Sequence, residues 1–220
     1  MAERLVIAID GPSGSGKSTT SRGVAQRLGL AYLDTGAMYR AVTCAFLDAG
    51  VDPSDAAGVT QATLLADLAI STDPIDQWVR VNGVDVTERI RSQEVASTVS
   101  AVSTVAECRA NLVWRQRAII DAAPQGIVAE GRDITTVVAP DARVRLLLTA
   151  DPEVRMARRQ LDLGGAVEAS ALADQVLRRD ADDSRLVNFT TAADGVIHLD
   201  CTYLTLEETI QTVLDLVEVS

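Results

Sequence analysis

Among the twenty lysines and arginines of this 220-residue chain only one, Lys17, is lysine, and His198 is the sole histidine. Three cysteines, Cys44, Cys108 and Cys201, are scattered with no C-x-x-C pair. Together with one histidine they cannot supply the closely spaced ligands of a structural zinc site. They read instead as small buried apolar residues of a protein kept in a reducing compartment. Positive charge is scarce as well: the formal net charge is −11. A general nucleic-acid surface or an anionic-membrane surface is thereby disfavoured, because such partners are drawn in by positive fields. An anionic ligand must meet a local pocket of positive charge. No apolar run approaches the roughly 18 residues of a spanning helix, and no long apolar segment follows a basic start at Met1 to Val6. A cytoplasmic protein with no membrane and no nucleic-acid polymer as partner is expected, and with no large apolar stripe in view a monomer. A composition drift towards arginine could explain the missing lysines, but not where the remaining one sits.

What is present is a series of short apolar runs ending in a polar residue: "LVIAID" (5 to 10), "AYLD" (31 to 34), "GIVAE" (126 to 130), "VRLLLT" (144 to 149) and "GVIHLD" (195 to 200). Near-continuous hydrophobicity over that length is the pattern of strands buried on both faces, and helical spacing fills several of the stretches between them. The pattern predicts an α/β protein with a parallel sheet flanked by helices. The first helix, "STTSRGVAQRLGL", places Val24, Ala25 and Leu28 inward and stops at Gly29. The last, "LEETIQTVLDLVEV", carries Leu206, Ile210, Val213, Leu214 and Val217 on one face.

Two regions break the repeat. In "WVRVNGVDVT" an Asn82-Gly83 pair lies between alternating apolar residues, the signature of a hairpin, so a small antiparallel β lobe is expected as an insert. From Arg155 to Arg185 the chain is dense in charge and interrupted by Gly164-Gly165. That composition suits a mobile helical lid.

Gly11 to Ser18 fits G-x-x-x-x-G-K-[ST] between a predicted strand and a predicted helix, the context that a phosphate-binding P-loop requires. Glycines let successive N–H groups face inward, and the helix start adds its positive end. The expected ATP-binding residues are Gly11, Pro12, Ser13, Gly14, Ser15, Gly16, Lys17, Ser18 and Thr19. Lys17 can reach the β- and γ-phosphates as a compact point charge, and Ser18 offers a hydroxyl to Mg²⁺. A bulkier planar guanidinium does not easily fill that slot, so drift towards arginine would stop here. The sole lysine also rules out the N-K-x-D segment with which GTP-binding switches read guanine.

With "DGPSGSGKST", "LDTGAMYR" (33 to 40), "EGRD" (130 to 133) and "ARR" (157 to 159), the chain resembles the bacterial cytidylate kinases, nucleoside monophosphate kinases with a P-loop NTPase fold. The likeness runs through nearly the whole chain, the hairpin insert included. It implies Mg²⁺-dependent transfer of phosphate from ATP to CMP or dCMP in pyrimidine metabolism. It also implies a core over 1–36, 112–154 and 186–220, a monophosphate-binding insert over about 37–111, and a lid over about 155–185. By the resemblance Thr35, Tyr39, Arg40 and Arg132 hold the acceptor phosphate, the alternative for Tyr39 being a core aromatic with a wet hydroxyl. Ser100, Arg109 and Asp133 read the base, with Ser100 also readable as a helix-surface serine. Asp133 would accept from the exocyclic amine of cytosine and would meet a carbonyl in uracil, a buried mismatch. Arg178 and Asp182, or Asp183 in a shifted register, hold the sugar, and Arg185 lies near the phosphates.

The acceptor phosphate is already an anionic nucleophile, so no general base is required, and catalysis reduces to positioning and charge neutralisation. Lys17, Arg132, Arg155 and Arg159 are the expected catalytic residues. Arg155, Arg158 and Arg159 share one helix face, and lid closure would bring Arg155 and Arg159 to the donor phosphates, whereas Arg158 could simply be a solvated charge. Asp34 either orders Mg²⁺ through water or caps a turn. The chain departs from the family pattern at Thr135, where relatives read glycine, and at "NFT" (188 to 190), where they read A-P-L, and its lid looks short. Another small-molecule P-loop kinase, for UMP, AMP or shikimate, and a nucleotide-binding regulator without acceptor chemistry are the competing readings.

Overall fold

The computed structural model describes residues 4–162 and 191–219. Five parallel strands form the central sheet, in the order β2-β6-β1-β7-β8. They are β1 (Leu5–Asp10), β2 (Ala31–Asp34), β6 (Gly126–Gly131), β7 (Val144–Thr149) and β8 (Ile197–Asp200). The three central strands are buried on both faces as the uninterrupted apolar runs required. The edge strand β8 is the exception, with Ile197 and His198 exposed.

Alternation along each strand divides the core in two. Ile7 and Ile9 of β1 face Val24 and Ala25 of α1 (Lys17–Leu28) and Ile210, Val213 and Val217 of α8 (Leu206–Val219). Ala8, Ile127 and Ala129 face the other way, towards Met38, Val42 and Phe46 of α2 (Thr35–Asp48) and Leu112 of α6 (Ala106–Ala122). The expected inner positions Leu28 and Leu206 are partly exposed at helix ends, beyond the packed stretch.

The second core continues without a break into the insert, through Val79, Val81 and Val86. There β3 (Leu68–Ile70), β4 (Val79–Val81) and β5 (Val84–Asp85) form the expected antiparallel lobe. Asn82 (φ 52°) and Gly83 (φ 76°) turn the hairpin with both central residues in the left-handed region, as a two-residue turn between right-twisted strands demands. Helices α3 (Ala56–Leu65), α4 (Gln93–Thr98) and α5 (Ser100–Ser103) complete this lobe. The first part of the expected lid is α7 (Pro152–Asp162).

Phe46 is fully buried where α2 joins the sheet to the insert. Phe46→Ala should lower the unfolding free energy by about 3–5 kcal/mol, and Phe46→Leu by distinctly less, as urea titration would show.

Candidate active site

The carboxyl ends of β1, β2 and β6 lie side by side, and each ends in or next to an acidic residue: Asp10, Asp34 and Glu130. A crevice outside the carboxyl ends of parallel strands is where such sheets bind ligands. Here it is a cavity of about 370 Å³ bounded by the P-loop, the start of α2, the end of β6 and the insert.

The loop between β1 and α1 curls as its glycines require. Gly14 has φ 76°, and a Cβ there would run into the carbonyl oxygen of Arg155, so only glycine fits. The loop is held from behind by α7: Arg155 Nη1 donates to the Ser13 carbonyl at 3.0 Å and Arg158 Nη1 to the Ser15 carbonyl at 3.4 Å. Arg158 Nη2 also donates to the Cys201 carbonyl at 3.0 Å, which ties the loop after β8 to the P-loop. Arg158 is therefore no solvated charge. The Arg155 side chain is buried beneath the loop, whereas the Arg159 side chain, and Arg178, Asp182 and Arg185 altogether, lie outside the described residues.

Glu130 forms the floor of the cradle and received no role from the sequence beyond its place in a motif. It accepts from the Ser18 hydroxyl at 2.5 Å, and Lys17 Nζ stands 3.7 Å from its other oxygen. Burial pushes the Glu130 carboxyl above its ordinary value, with the Lys17 charge pulling against it. Asp34 is the N-cap of α2, accepting from the Ala37 N–H at 2.8 Å, and its second oxygen pairs with Arg40 at 3.0 Å. Burial raises the Asp34 carboxyl, but Arg40, the Ala37 amide and Lys17 together outweigh it and hold it below its ordinary value. The turn-capping alternative for Asp34 is thus observed, and the carboxylate bonded to Ser18 is Glu130.

Across the cavity from the loop, Thr35, Tyr39, Arg40, Arg109, Arg132 and Asp133 all line the same wall space. The Thr35 hydroxyl donates to the Glu130 carbonyl at 2.8 Å, which locks α2 to β6. Arg109 Nη2 donates to Asp133 Oδ2 at 2.5 Å, and its Nη1 reaches the Ser103 carbonyl at 3.4 Å. Ser103 lines the cavity, while Ser100, one turn earlier, is half-buried off its wall.

The chain matches the cytidylate kinase family model over residues 7–219. It belongs to that family. A cytidylate kinase of Cutibacterium acnes is 52% identical over 98% of this chain and 97% of its own length. One of Streptomyces avermitilis is 45% identical over 97% and 93%. In fold alone, a solved structure from Eubacterium ventriosum superposes with a TM-score of 0.50 at 11% identity, over 99% of this chain and 100% of that one. Whole-chain similarity to cytidylate kinases and the observed sheet-plus-insert architecture agree.

A buried carboxylate with a raised pKa makes stability pH-dependent in a known direction. While protonated in both states Glu130 adds no pH dependence, but above its ordinary value of 4.5 the unfolded chain ionises first and folding weakens until the folded-state value is passed. Glu130→Gln removes that dependence. The stability of the variant minus that of the wild type should therefore be more favourable at pH 7 than at pH 4, read from urea unfolding at the two pH values.

Proposed function

We propose that this cytidylate kinase family member transfers the γ-phosphoryl group of ATP to CMP or dCMP, giving ADP and CDP or dCDP. The observation that carries the reading is the Arg109–Asp133 pair at 2.5 Å in the same cavity as Lys17 of the P-loop. One end offers a carboxylate acceptor and guanidinium donors for the edge of cytosine, the other a cationic cradle for polyphosphate. Asp133 can accept from the exocyclic amine, and Arg109 can donate to the ring nitrogen and carbonyl. Ser100 would join them only by turning towards the cavity.

In the reaction an oxygen of the CMP phosphate attacks the γ-phosphorus, the bond to the bridging β–γ oxygen breaks, and its electron pair leaves with ADP. Arg40 and Arg132 hold the acceptor phosphate with charge-assisted bonds, Thr35 and Tyr39 complete the seat, and the oxygen is kept in line. Lys17 and the P-loop amides neutralise the donor oxygens. Arg155 serves the donor by fixing Ser13 and Gly14, and Arg159, four residues on, is assigned to the transferring group. Arg178, Asp182 and Arg185 are assigned to sugar and phosphates by resemblance alone, and residues 155–185 to a lid over the core, with about 37–111 as the acceptor lobe.

An all-oxygen set at Ser18 and Glu130, one of its members a buried carboxylate beside a phosphate cradle, suits Mg²⁺, which keeps several waters and binds through few protein groups. Ser18 would hold the ion directly and Glu130, with Asp34 further off, through its waters. Bound there, Mg²⁺ would supply charge neutralisation on the β- and γ-phosphates. Three unpaired buried thiols suit the reducing cytoplasm, and no helix among the described residues is long and apolar enough to cross a membrane. We assign the protein to the cytoplasm, as a monomer.

A coupled ADP-release assay over a panel of monophosphates tests the reading. CMP and dCMP should exceed UMP and AMP in kcat/KM by about 10²-fold or more, since a buried carboxylate facing a carbonyl costs several kcal/mol. Equal use of UMP, or ATP binding with no CMP-dependent turnover, would overturn it. Lys17→Met should keep the far-ultraviolet circular dichroism of the wild type and lose turnover by about 10²–10³-fold.

A further inference from the structure

Asp133 can discriminate between bases only if its carboxylate is held still, and it sits on a connecting segment rather than in a strand or helix. After β6 the chain passes through Arg132 and Asp133 into a single wide turn, Ile134–Val138. In that turn the Val138 N–H bonds back to the Asp133 carbonyl at 3.1 Å, and the Ala139 N–H to that of Ile134 at 2.8 Å. Wide turns of this type collect at functional sites.

The front of the turn is gripped by one side chain. Asp10, 3% exposed at the end of β1, accepts from the Ile134 N–H at 2.8 Å through one oxygen. Its other oxygen accepts from both the Thr135 N–H at 2.8 Å and the Thr135 hydroxyl at 2.6 Å. Thr135 is itself 3% exposed, so none of these bonds competes with water. The back of the turn is tied by two arginines: Arg145 reaches the Thr135 carbonyl at 3.3 Å, and Arg117 the Val137 and Val138 carbonyls at 2.5 and 3.2 Å. Neither Asp10 nor Thr135 lines the cavity.

Asp10 is also the residue directly before the P-loop, in register with Gly131 of β6. The last position of β1 thus joins the donor cradle to the segment that carries Arg132 and Asp133. We propose that Asp10 and Thr135 are positioning residues for acceptor recognition, the Thr135 hydroxyl fixing the turn so that Asp133 and Arg132 are presented to the cytosine and the acceptor phosphate. The proposal rests on the assignment of Asp133 to the base. The hydroxyl is the discriminating atom, because the two amide bonds to Asp10 survive any side-chain change at 135 while the hydroxyl bond does not. A charge-assisted bond of this kind is short and strong, and losing it leaves the turn without its third anchor.

The test compares Thr135→Val, which keeps the shape and removes the hydroxyl, with Thr135→Ser, which restores it. KM for CMP and for ATP, kcat, and the CMP-to-UMP ratio of kcat/KM are measured on each, with Asp10→Asn as a second probe from the opposite side of the bond. Thr135→Val should raise KM for CMP about tenfold and reduce the CMP-to-UMP ratio by a similar factor, with KM for ATP changed less than twofold. Thr135→Ser should return both to within about threefold of the wild type. A Thr135→Val enzyme with wild-type KM for CMP and wild-type selectivity, or one in which both KM values rise together and serine does not rescue, would overturn the proposal while leaving the base assignment intact. A wild type that uses UMP as readily as CMP would instead overturn the assignment of Asp133, and the positioning role with it.

Discussion

A half-buried ammonium set beside a fully buried carboxylate at the P-loop sets the terms for everything else in this molecule. Lys17 has little water around it, and a charge so placed is costly unless compensated. Glu130 compensates it, and Ser18 satisfies the carboxylate in turn. The same device recurs outward: Arg40 is matched by Asp34 and Arg109 by Asp133. An acidic chain can therefore keep several cationic groups around one cavity with Lys17, Arg40 and Arg109 each matched by a carboxylate.

The backbone makes that exchange possible by bringing the ends of three strands together. In the order β2-β6-β1 the residues that end each strand are neighbours in space although they are separated by some twenty to a hundred and twenty positions in the chain. Asp34 starts α2, Glu130 floors the cradle, and Asp10 grips the turn after β6. Each acid is used differently because its neighbours differ: an amide and an arginine at Asp34, the Ser18 and Tyr32 hydroxyls and a lysine at Glu130, two amides and a hydroxyl at Asp10. Beneath the loop, Arg155 and Arg158 turn their guanidinium groups to backbone carbonyls, so that α7 acts as a brace for the cradle.

Local signals in the sequence were enough for the strands, the P-loop motif and the Asn82-Gly83 hairpin, because each depends on spacing within about a dozen positions. Less legible were contacts that only strand order creates. Nothing near Glu130 in the chain says that it meets Ser18, and "EGRD" alone does not distinguish a floor carboxylate from a turn residue. Periodicity likewise overestimated burial at Leu28 and Leu206, since a helix end projects beyond the layer that covers its middle. Arg158 looked like a surface charge for a similar reason: its partners, the carbonyls of Ser15 and Cys201, are remote in sequence and chemically silent in it.

The solitary ε-amine offers an unusual chemical address. Reagents that acylate primary amines have one side chain to find in the whole polypeptide, and it sits 16% exposed at the base of the cradle. Protection of the cavity by a ligand is thereby convertible into a change in acylation at a single side chain on a single peptide.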